Sequence, residues 1–522
     1  MTDPDPASQT TMYDEMPYPG LSHAQTHPDR LASMAILLGL DPAPVERCRV
    51  LDIGCALGVN LMAMAELLPE SDFVGIDYAA RQIEIGRDYL AELGLKNVRL
   101  EHMDVMAVPE SLGHFDYIIA HGFYSWVPPT AQDQLLAVIR RHLAPNGVAY
   151  VSYNTYPGWY LMQVIRDSMM LRTRQMSDPA ERAAAGREIV DFLAQAIPDN
   201  SGPFAKFLHS YRRSQATRDS RGAAADALLL HDMMSDLNEP VYFEQFVAHA
   251  EGHGLQYLSE VDLAAVMPSR MKPEIAHELA ELTRDPMESE QWLDFMRFRT
   301  FRQTLLVHRE VEVQKTLRPQ VVGRFKLASL AEAKNDPVDL SPGVVEQFRT
   351  EDNASFATDH PLTKAAFVEM ISNRPRAIPF EVLVRAAAAR IDLFLDESTT
   401  REIAVFAANV LRALSYSPEL VELHLFQPPI SIVPGPRPRT TDLMRWQARM
   451  GLPACANSRA IRTLKASPAE NILVAECITV SYLDRRIQCF LRVIHMNRIA
   501  RNAVYYCQSL STDIRGFDPR RS

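Results

Sequence analysis

The segment RVLDIGCALGVN, residues 49–60, constrains the fold of this chain more than any other. A strand-type run ends at Ile53, small residues follow as far as Gly58, and the apolar stretch LMAMAELL comes next. This order predicts a buried strand, a tight turn and a helix, which together present backbone N–H groups and a helix N-terminus to a ligand. Further strand-type runs lie at 73–76, 98–101, 117–120 and 148–153, with amphipathic segments between them. We therefore expect an α/β domain with a parallel sheet and helices on both faces.

The spacing of small residues in the turn separates two classes of ligand. A dinucleotide fingerprint, G-x-G-x-x-G, that starts at Gly54 requires glycine at positions 56 and 59, where Ala56 and Val59 stand. The pattern acidic-x-G-x-G-x-G keeps Asp52, Gly54 and Gly58 and has Ala56 at its central glycine. The spacing therefore favours S-adenosylmethionine over NAD or FAD. From this segment we assign six residues to the cofactor site: Asp52, Gly54, Cys55, Ala56, Gly58 and Asn60.

Acidic residues after the next two strands support the same cofactor. Asp77 ends the second predicted strand, 25 residues after Asp52, where a carboxylate can accept hydrogen bonds from both ribose hydroxyls. Asp104 follows the third strand, where it can accept from the exocyclic amine of adenine while Val105 packs on the ring. We assign Tyr78, which follows Asp77, to the same site. An acidic residue at a strand end is often only a helix cap, and that interpretation stays open for each residue taken alone.

Several aromatic residues are candidates for the wall of the active site. The fourth predicted strand leads into HGFYSWV at the carboxyl edge of the sheet, where ligands of such sheets bind. We expect Tyr124 and Trp126 to line an acceptor channel, together with Tyr18 from an N-terminal arm. Tyr13 of the same arm and His121 are assigned to the cofactor site. Aromatic faces attract a sulfonium or a methylated ammonium, although aromatic residues after a strand are also common in cores.

These motifs resemble those of class I S-adenosylmethionine-dependent methyltransferases. The segments YDEMPYP, THPDRLA, HGFYSWVPP and GVAYVSYNTYPGW are similar to those of members that carry a methyltransferase regulatory domain. Among these members are protein-lysine methyltransferases that act on bacterial outer-membrane proteins. The resemblance implies a Rossmann-like core, a helical middle region and a winged-helix-like C-terminal domain, and it is compatible with a homodimer.

The composition of successive segments predicts four regions. Residues 1–45 form an arm and a cap helix over PDRLASMAILLGL, and residues 46–158 form the cofactor-binding domain. Residues 159–313 are expected to be mostly helical, including the stretch EQWLDFMRFRTFRQTLLVHRE. Residues 314–522 form a mixed α/β region.

Charge and composition exclude several other classes of protein. The 522 residues carry a formal net charge of -11, so broad attraction to nucleic acid is not expected. No apolar run reaches the length of a spanning helix, and the N-terminus lacks the basic and apolar segments of a secretory signal. The six cysteines show no C-x-x-C spacing, which is typical of reduced thiols in a cytoplasmic protein.

One histidine pair resembles a metal site only superficially. His249 and His253 are four residues apart, but the H-E-x-x-H order is missing, and Gly252 and Gly254 indicate a helix end. We therefore expect no metal site.

Taken together, these features predict a cytoplasmic methyltransferase that acts on lysine side chains of a protein substrate. The long addition after the cofactor-binding domain favours a macromolecular acceptor. Two alternatives stay open, namely an enzyme with a small-molecule acceptor and a non-catalytic protein that senses S-adenosylmethionine.

Overall fold

A seven-stranded sheet forms the centre of the computed structural model, which describes residues 12–219, 223–267, 271–283, 285–314, 316–351, 353–374, 376–428 and 441–450. The strands are β1 (Arg49–Ile53), β2 (Asp72–Asp77), β3 (Val98–His102), β4 (Phe115–Ala120), β5 (Leu143–Asn154), β6 (Leu255–Glu260) and β7 (Phe301–His308). Their order is β3-β2-β1-β4-β5-β7-β6, and β1 to β5 are parallel. The five strands predicted from the sequence are thereby confirmed.

Helices cover the predicted cofactor-binding domain. They are α1 (Met12–Glu15), α2 (Pro28–Leu37), α3 (Val59–Ala65), α4 (Ala80–Leu93) and α5 (Pro129–His142). The predicted cap helix is α2, and Pro28 occupies its first turn, where a missing N–H has no cost. Four of the five residues of β1 are buried, as expected for a central parallel strand covered on both faces.

The middle region is mostly helical, as predicted. It contains α6 (Trp159–Thr173), α7 (Pro179–Ala196), α8 (Pro203–Asp219), α9 (Ala223–Met233), α10 (Phe243–Gly252), α11 (Leu263–Val266), α12 (Pro273–Leu282) and α13 (Pro286–Arg297). However, β6 and β7 also belong to it and complete the central sheet. The stretch predicted as helix changes to a strand because α13 ends at Arg297, where Phe298 adopts a left-handed φ of 51°. The predicted boundary at residue 158 therefore separates strands of one sheet.

The third region is mixed α/β, as predicted. Its helices are α14 (Pro361–Ser372), α15 (Phe380–Arg390) and α16 (Thr400–Tyr416), and its strands are β8 (Lys326–Ala328), β9 (Glu332–Ala333), β10 (Glu346–Arg349), β11 (Ser355–Thr358), β12 (Ile378–Pro379) and β13 (Glu422–His424). The strands form two small sheets, β11-β10-β9 and β12-β8-β13. A separate compact unit contains α17 (Asp442–Arg449). Among the described helices, none is both long enough and apolar enough to cross a bilayer.

A buried ion cluster fixes β7 to its neighbours. The Arg302 side chain is fully buried, and its guanidinium donates to Asp294 of α13 at 2.8 Å and to Glu260 of β6 at 2.9 Å. It also donates to Glu290 at 3.1 Å and lies 3.8 Å from the ring centre of Phe243. All four charged groups are withdrawn from water, and Glu260 and Glu290 pair with this cation, whereas Asp294 also pairs with Arg299 at 3.1 Å.

We expect Arg302→Met to lower the free energy of unfolding by about 3–5 kcal/mol, because buried Glu260 and Glu290 lose their paired cation and Asp294 keeps only Arg299. Urea unfolding followed by circular dichroism measures this change. Arg47→Gln is the control, since the Arg47–Glu70 pair is largely exposed and its loss should leave the transition unchanged. Equal effects of the two substitutions would show that the cluster has no special role.

Candidate active site

The turn between β1 and α3 is built from left-handed residues. Gly54 and Gly58 have φ values of 77° and 72°, and Ala56 between them has a φ of 49°. A Cβ atom added to Gly54 would lie 2.7 Å from the Phe123 ring, and one on Gly58 would lie 2.7 Å from Leu100. Ala56 takes the place of the central glycine at a strain of about 1–2 kcal/mol. Its N–H donates to Asp77 Oδ2 at 2.8 Å, which helps to hold the turn in this conformation.

Two buried carboxyl groups lie behind and beside this turn. Asp77 also accepts a hydrogen bond from the Ala79 N–H at 2.9 Å. Burial raises the pKa of Asp77, whereas its two backbone hydrogen bonds lower it. Asp52 is 3% exposed, and the Asn60 amide lies 3.4 Å from its carboxylate. Burial raises the pKa of Asp52 to about 7; the Asn60 hydrogen bond opposes this rise and the nearby Asp77 adds to it. A cation close to Asp52 and Asp77 would therefore stabilise their ionised forms.

A cavity of about 1140 Å³ opens at the carboxyl edge of the sheet. It brings together all but two of the predicted site residues: Tyr13, Tyr18, Asp52, Gly54, Cys55, Ala56, Asn60, Asp77, Tyr78, Asp104, Val105, His121 and Trp126. Gly58 is not in the wall but forms the N-cap of α3. Asp104 does cap a helical turn, because its Oδ1 accepts from the Met106 N–H at 2.9 Å.

Cys48 and Cys55 are free thiols, and the other four cysteines lie outside the described residues.

Tyr124 is not among the residues that line the cavity. It is 2% exposed, and its hydroxyl is 2.9 Å from Nδ1 of His249. Its ring packs against Phe246 and Tyr153. The structure thus corrects its assignment to the acceptor channel, because the hydroxyl already has a partner elsewhere.

The N-terminal arm contributes to the cavity wall. Tyr13 stacks on His231 of α9 with 4.3 Å between ring centres, and the Tyr18 hydroxyl donates to Asp232 at 3.4 Å. His23 packs against His121 with 3.8 Å between ring centres. The arm therefore lies between the cofactor-binding turn and α9.

The middle region supplies wall residues that sequence reasoning missed. They include Trp159, Tyr211, His231, Asp232, Ser235, Asp236 and Phe301. No motif marks them, since they lie on different elements that only the sheet topology brings together. Two buried polar atoms of this group, Nε1 of Trp159 and Nδ1 of His231, have no hydrogen-bond partner among the described residues. Both atoms have almost no accessible surface, so the cavity does not reach them directly.

The cavity is electrostatically suited to cations. Its described wall contains Asp52, Asp77, Asp104, Asp232 and Asp236, but neither lysine nor arginine. Three histidines also line it, and burial lowers the pKa of each: His23 to about 4, His121 well below its usual value, and His231 in the same direction. They are neutral at pH 7, so the described wall adds no fixed positive charge.

These features fit S-adenosylmethionine, which carries a sulfonium, an amino group, a ribose and an adenine. The glycine-type turn lies at the N-terminus of α3, and Asp77, Asp104 and Val105 line the same cavity at the ends of the neighbouring strands. The fold and the site together define a class I S-adenosylmethionine-dependent methyltransferase.

Comparisons with known proteins agree with this class. A methyltransferase domain family matches residues 50–147, and the family described as a predicted methyltransferase regulatory domain matches residues 225–308. The chain belongs to the class I S-adenosylmethionine-dependent methyltransferases that carry a methyltransferase regulatory domain.

Relatives occur in Rickettsia. Protein RP789 of Rickettsia prowazekii, which is uncharacterized, is 29% identical over 91% of this chain and 83% of its own length. Uncharacterized protein RP028 of the same organism is 37% identical over 46% of this chain and 93% of its own length. The solved structure of PKMT2 from Rickettsia typhi, also known in complex with AdoHcy, is 28% identical with a TM-score of 0.71 and covers 83% of this chain and 82% of its own.

We expect Asp77→Asn to weaken S-adenosylmethionine binding about ten- to hundredfold, because hydrogen bonds to a charged group contribute about 1.5–3 kcal/mol each. Isothermal titration calorimetry measures the affinity. Asp72→Asn is a matched control at the opposite end of β2, where Asp72 pairs with Arg49 and is 44% exposed. An unchanged affinity for Asp77→Asn would contradict the assignment.

The raised pKa of Asp52 predicts a pH-dependent stability in the absence of cofactor. Its folded pKa of about 7 exceeds the unfolded value of 3.8, so the neutral carboxyl stabilises the fold fully below pH 3.8, and this contribution is lost as the pH rises to about 7. Between pH 5 and pH 8 the loss is about 2–3 kcal/mol. Urea unfolding of wild type and Asp52→Asn at both pH values should show this additional loss in wild type, because other buried groups such as Glu290 titrate in both proteins. Parallel slopes would contradict it.

Proposed function

We propose that the protein methylates the Nζ atom of lysine side chains in a protein substrate. The observation that carries this proposal is the cavity itself, whose described wall has five carboxylates, aromatic rings and no lysine or arginine. A substrate that enters beside a cationic cofactor is then attracted if it is an amine. A phosphate or carboxylate substrate would meet repulsion and no fixed cation.

The reaction requires a neutral amine close to the methyl group. Bound S-adenosylmethionine supplies an electrophilic methyl on its sulfonium. A lysine with a pKa near 10.4 must lose a proton at a cost of about 4–5 kcal/mol at pH 7. The apolar faces of Phe123, Trp126 and Trp159 in the cavity wall lower this cost, because desolvation disfavours the ammonium. Holding the amine about 3–3.5 Å from the methyl carbon supplies much of the remaining acceleration.

A carboxylate from the middle region is placed to receive the amine. Asp232 accepts from Tyr18 and lines the cavity. The preceding residue, His231, is buried; its Nε2 is 2.7 Å from the Met16 carbonyl oxygen and its ring stacks on Tyr13, so it holds the arm against α9. We assign Asp232 to orientation of the incoming amine and His231 to positioning of the arm.

The solved relative supports a protein acceptor. The abbreviation PKMT denotes a protein lysine methyltransferase, and the likeness to PKMT2 extends over 83% of this chain, well beyond the cofactor-binding domain.

Selective blocking of amines tests the acceptor class. The purified protein is incubated with methyl-labelled S-adenosylmethionine and a cell extract, and a second sample of the extract is first acetylated on its lysines. We expect labelled protein in the first sample and its loss in the second. Label in small molecules alone would select the small-molecule alternative, and cofactor binding without transfer would select the sensor.

We expect Asp232→Asn to reduce label transfer to protein about tenfold, because loss of one charge-assisted contact costs about 1.5–3 kcal/mol. S-adenosylmethionine affinity should change by less than about twofold, since Asp232 belongs to the acceptor side. Asp226→Asn is the matched control on α9, where the Asp226 carboxylate pairs with Arg187 away from the cavity. If both variants transfer label like wild type, the acceptor assignment is wrong.

A further inference from the structure

Three potential metal ligands meet outside the cavity, where α5 approaches α10. Asp133 lies in α5, His249 lies in α10, and His253 is the C-cap of α10. Nε2 of His253 is 2.8 Å from Asp133 Oδ1, and Nε2 of His249 is 3.4 Å from the same oxygen. One ligand atom from each residue lies within 4.8 Å of the others. The donor atoms therefore converge on a volume that a single ion can share.

We propose that Asp133, His249 and His253 bind a divalent transition-metal ion of the zinc type. Two imidazole nitrogens and one carboxylate oxygen match the ligands of such ions, whereas magnesium and calcium prefer oxygen alone. Ligand atoms around tetrahedral zinc are about 3.3 Å apart, which matches the 3.4 Å between His249 Nε2 and Asp133 Oδ1, whereas His253 Nε2 would move outward from its 2.8 Å hydrogen bond. The side chains are 64%, 28% and 19% exposed, so an ion and a water as fourth ligand can enter.

A neighbouring hydroxyl already orients one of the histidines. Nδ1 of His249 is 2.9 Å from the Tyr124 hydroxyl, and this contact directs Nε2 toward Asp133. Metal-binding histidines typically use their second nitrogen in this way. Tyr124 is itself fixed by packing against Phe246 and Tyr153. The position of its hydroxyl, which the catalytic cavity does not explain, thus has a role at this cluster.

The charge of Asp133 also favours an ion. Among the described residues, no lysine or arginine pairs with its carboxylate, which contacts only the two histidines. The competing interpretation is a plain hydrogen-bonded group, which would bind no ion. The third ligand could not be predicted from the sequence, because Asp133 is 116 and 120 positions from the two histidines.

An ion at this site would connect the two matched families. Asp133 lies within 50–147 and both histidines lie within 225–308. The turn Tyr124–Trp126 precedes α5 and carries Trp126 into the cavity wall. Metal binding therefore stabilises one side of the cavity by linking α5 to α10.

Metal titration of the full-length protein, prepared without a polyhistidine tag and stripped by a chelator, tests the proposal. We expect one equivalent of Zn²⁺ by calorimetry, a higher thermal unfolding midpoint with Zn²⁺, and visible absorption of bound Co²⁺ typical of low coordination. Asp133→Asn and His253→Ala should each lower Zn²⁺ affinity about ten- to hundredfold. Circular dichroism and S-adenosylmethionine binding confirm that these surface variants are folded.

His277→Ala is the matched control, because His277 and Glu281 form an exposed histidine–carboxylate pair at 3.3 Å without a third ligand. It should bind Zn²⁺ like wild type. Wild-type affinity weaker than about 10 μM would overturn the proposal. Tight binding that survives both Asp133→Asn and His253→Ala would overturn it as well, since the ion would then bind elsewhere.

Discussion

The antiparallel pairing of β5 with β7 is the interaction on which the rest of the structure depends. Residues 149–154 pair with residues 301–306 from the far end of the middle region. Everything between these strands, including α6 to α9, must therefore leave and rejoin the same sheet. This constraint places α9 and its carboxylate Asp232 in the wall of the cavity at the carboxyl edge. The buried Arg302 cluster then ties β7 to β6 and α13.

The shared sheet explains why catalytic and regulatory segments form one cavity. The β1–α3 turn and the strand ends line this cavity together with α9, Trp159 and Phe301. Burial keeps the histidines of this cavity neutral, so its acidic residues determine its potential. A cavity of this kind attracts the cationic cofactor, and under the proposed function the same electrostatic property favours an amine acceptor.

The sequence predicted the parts of the site that depend on local patterns. Strands β1 to β5 follow from apolar runs, and the turn with Asp52 and Asp77 follows from spacing. Strand β7 was missed because its residues continue an amphipathic pattern, and only the left-handed Phe298 separates it from α13. Tyr124 was misplaced because a sequence position after a strand does not fix the direction of a side chain. The fold brings Asp232 into the cavity wall and Asp133 next to two histidines. No local sequence pattern marks either position, because the residues that meet there are far apart in the chain.

The central claim is that this cavity transfers methyl groups to lysine. Its most direct test is mass spectrometry of cellular proteins after incubation with the wild-type protein and S-adenosylmethionine that carries a deuterated methyl group. The account predicts tryptic peptides with deuterated methyl groups on lysine Nζ, absent when the protein is omitted. Deuterated methyl groups only on other side chains, or only in small molecules, would contradict it.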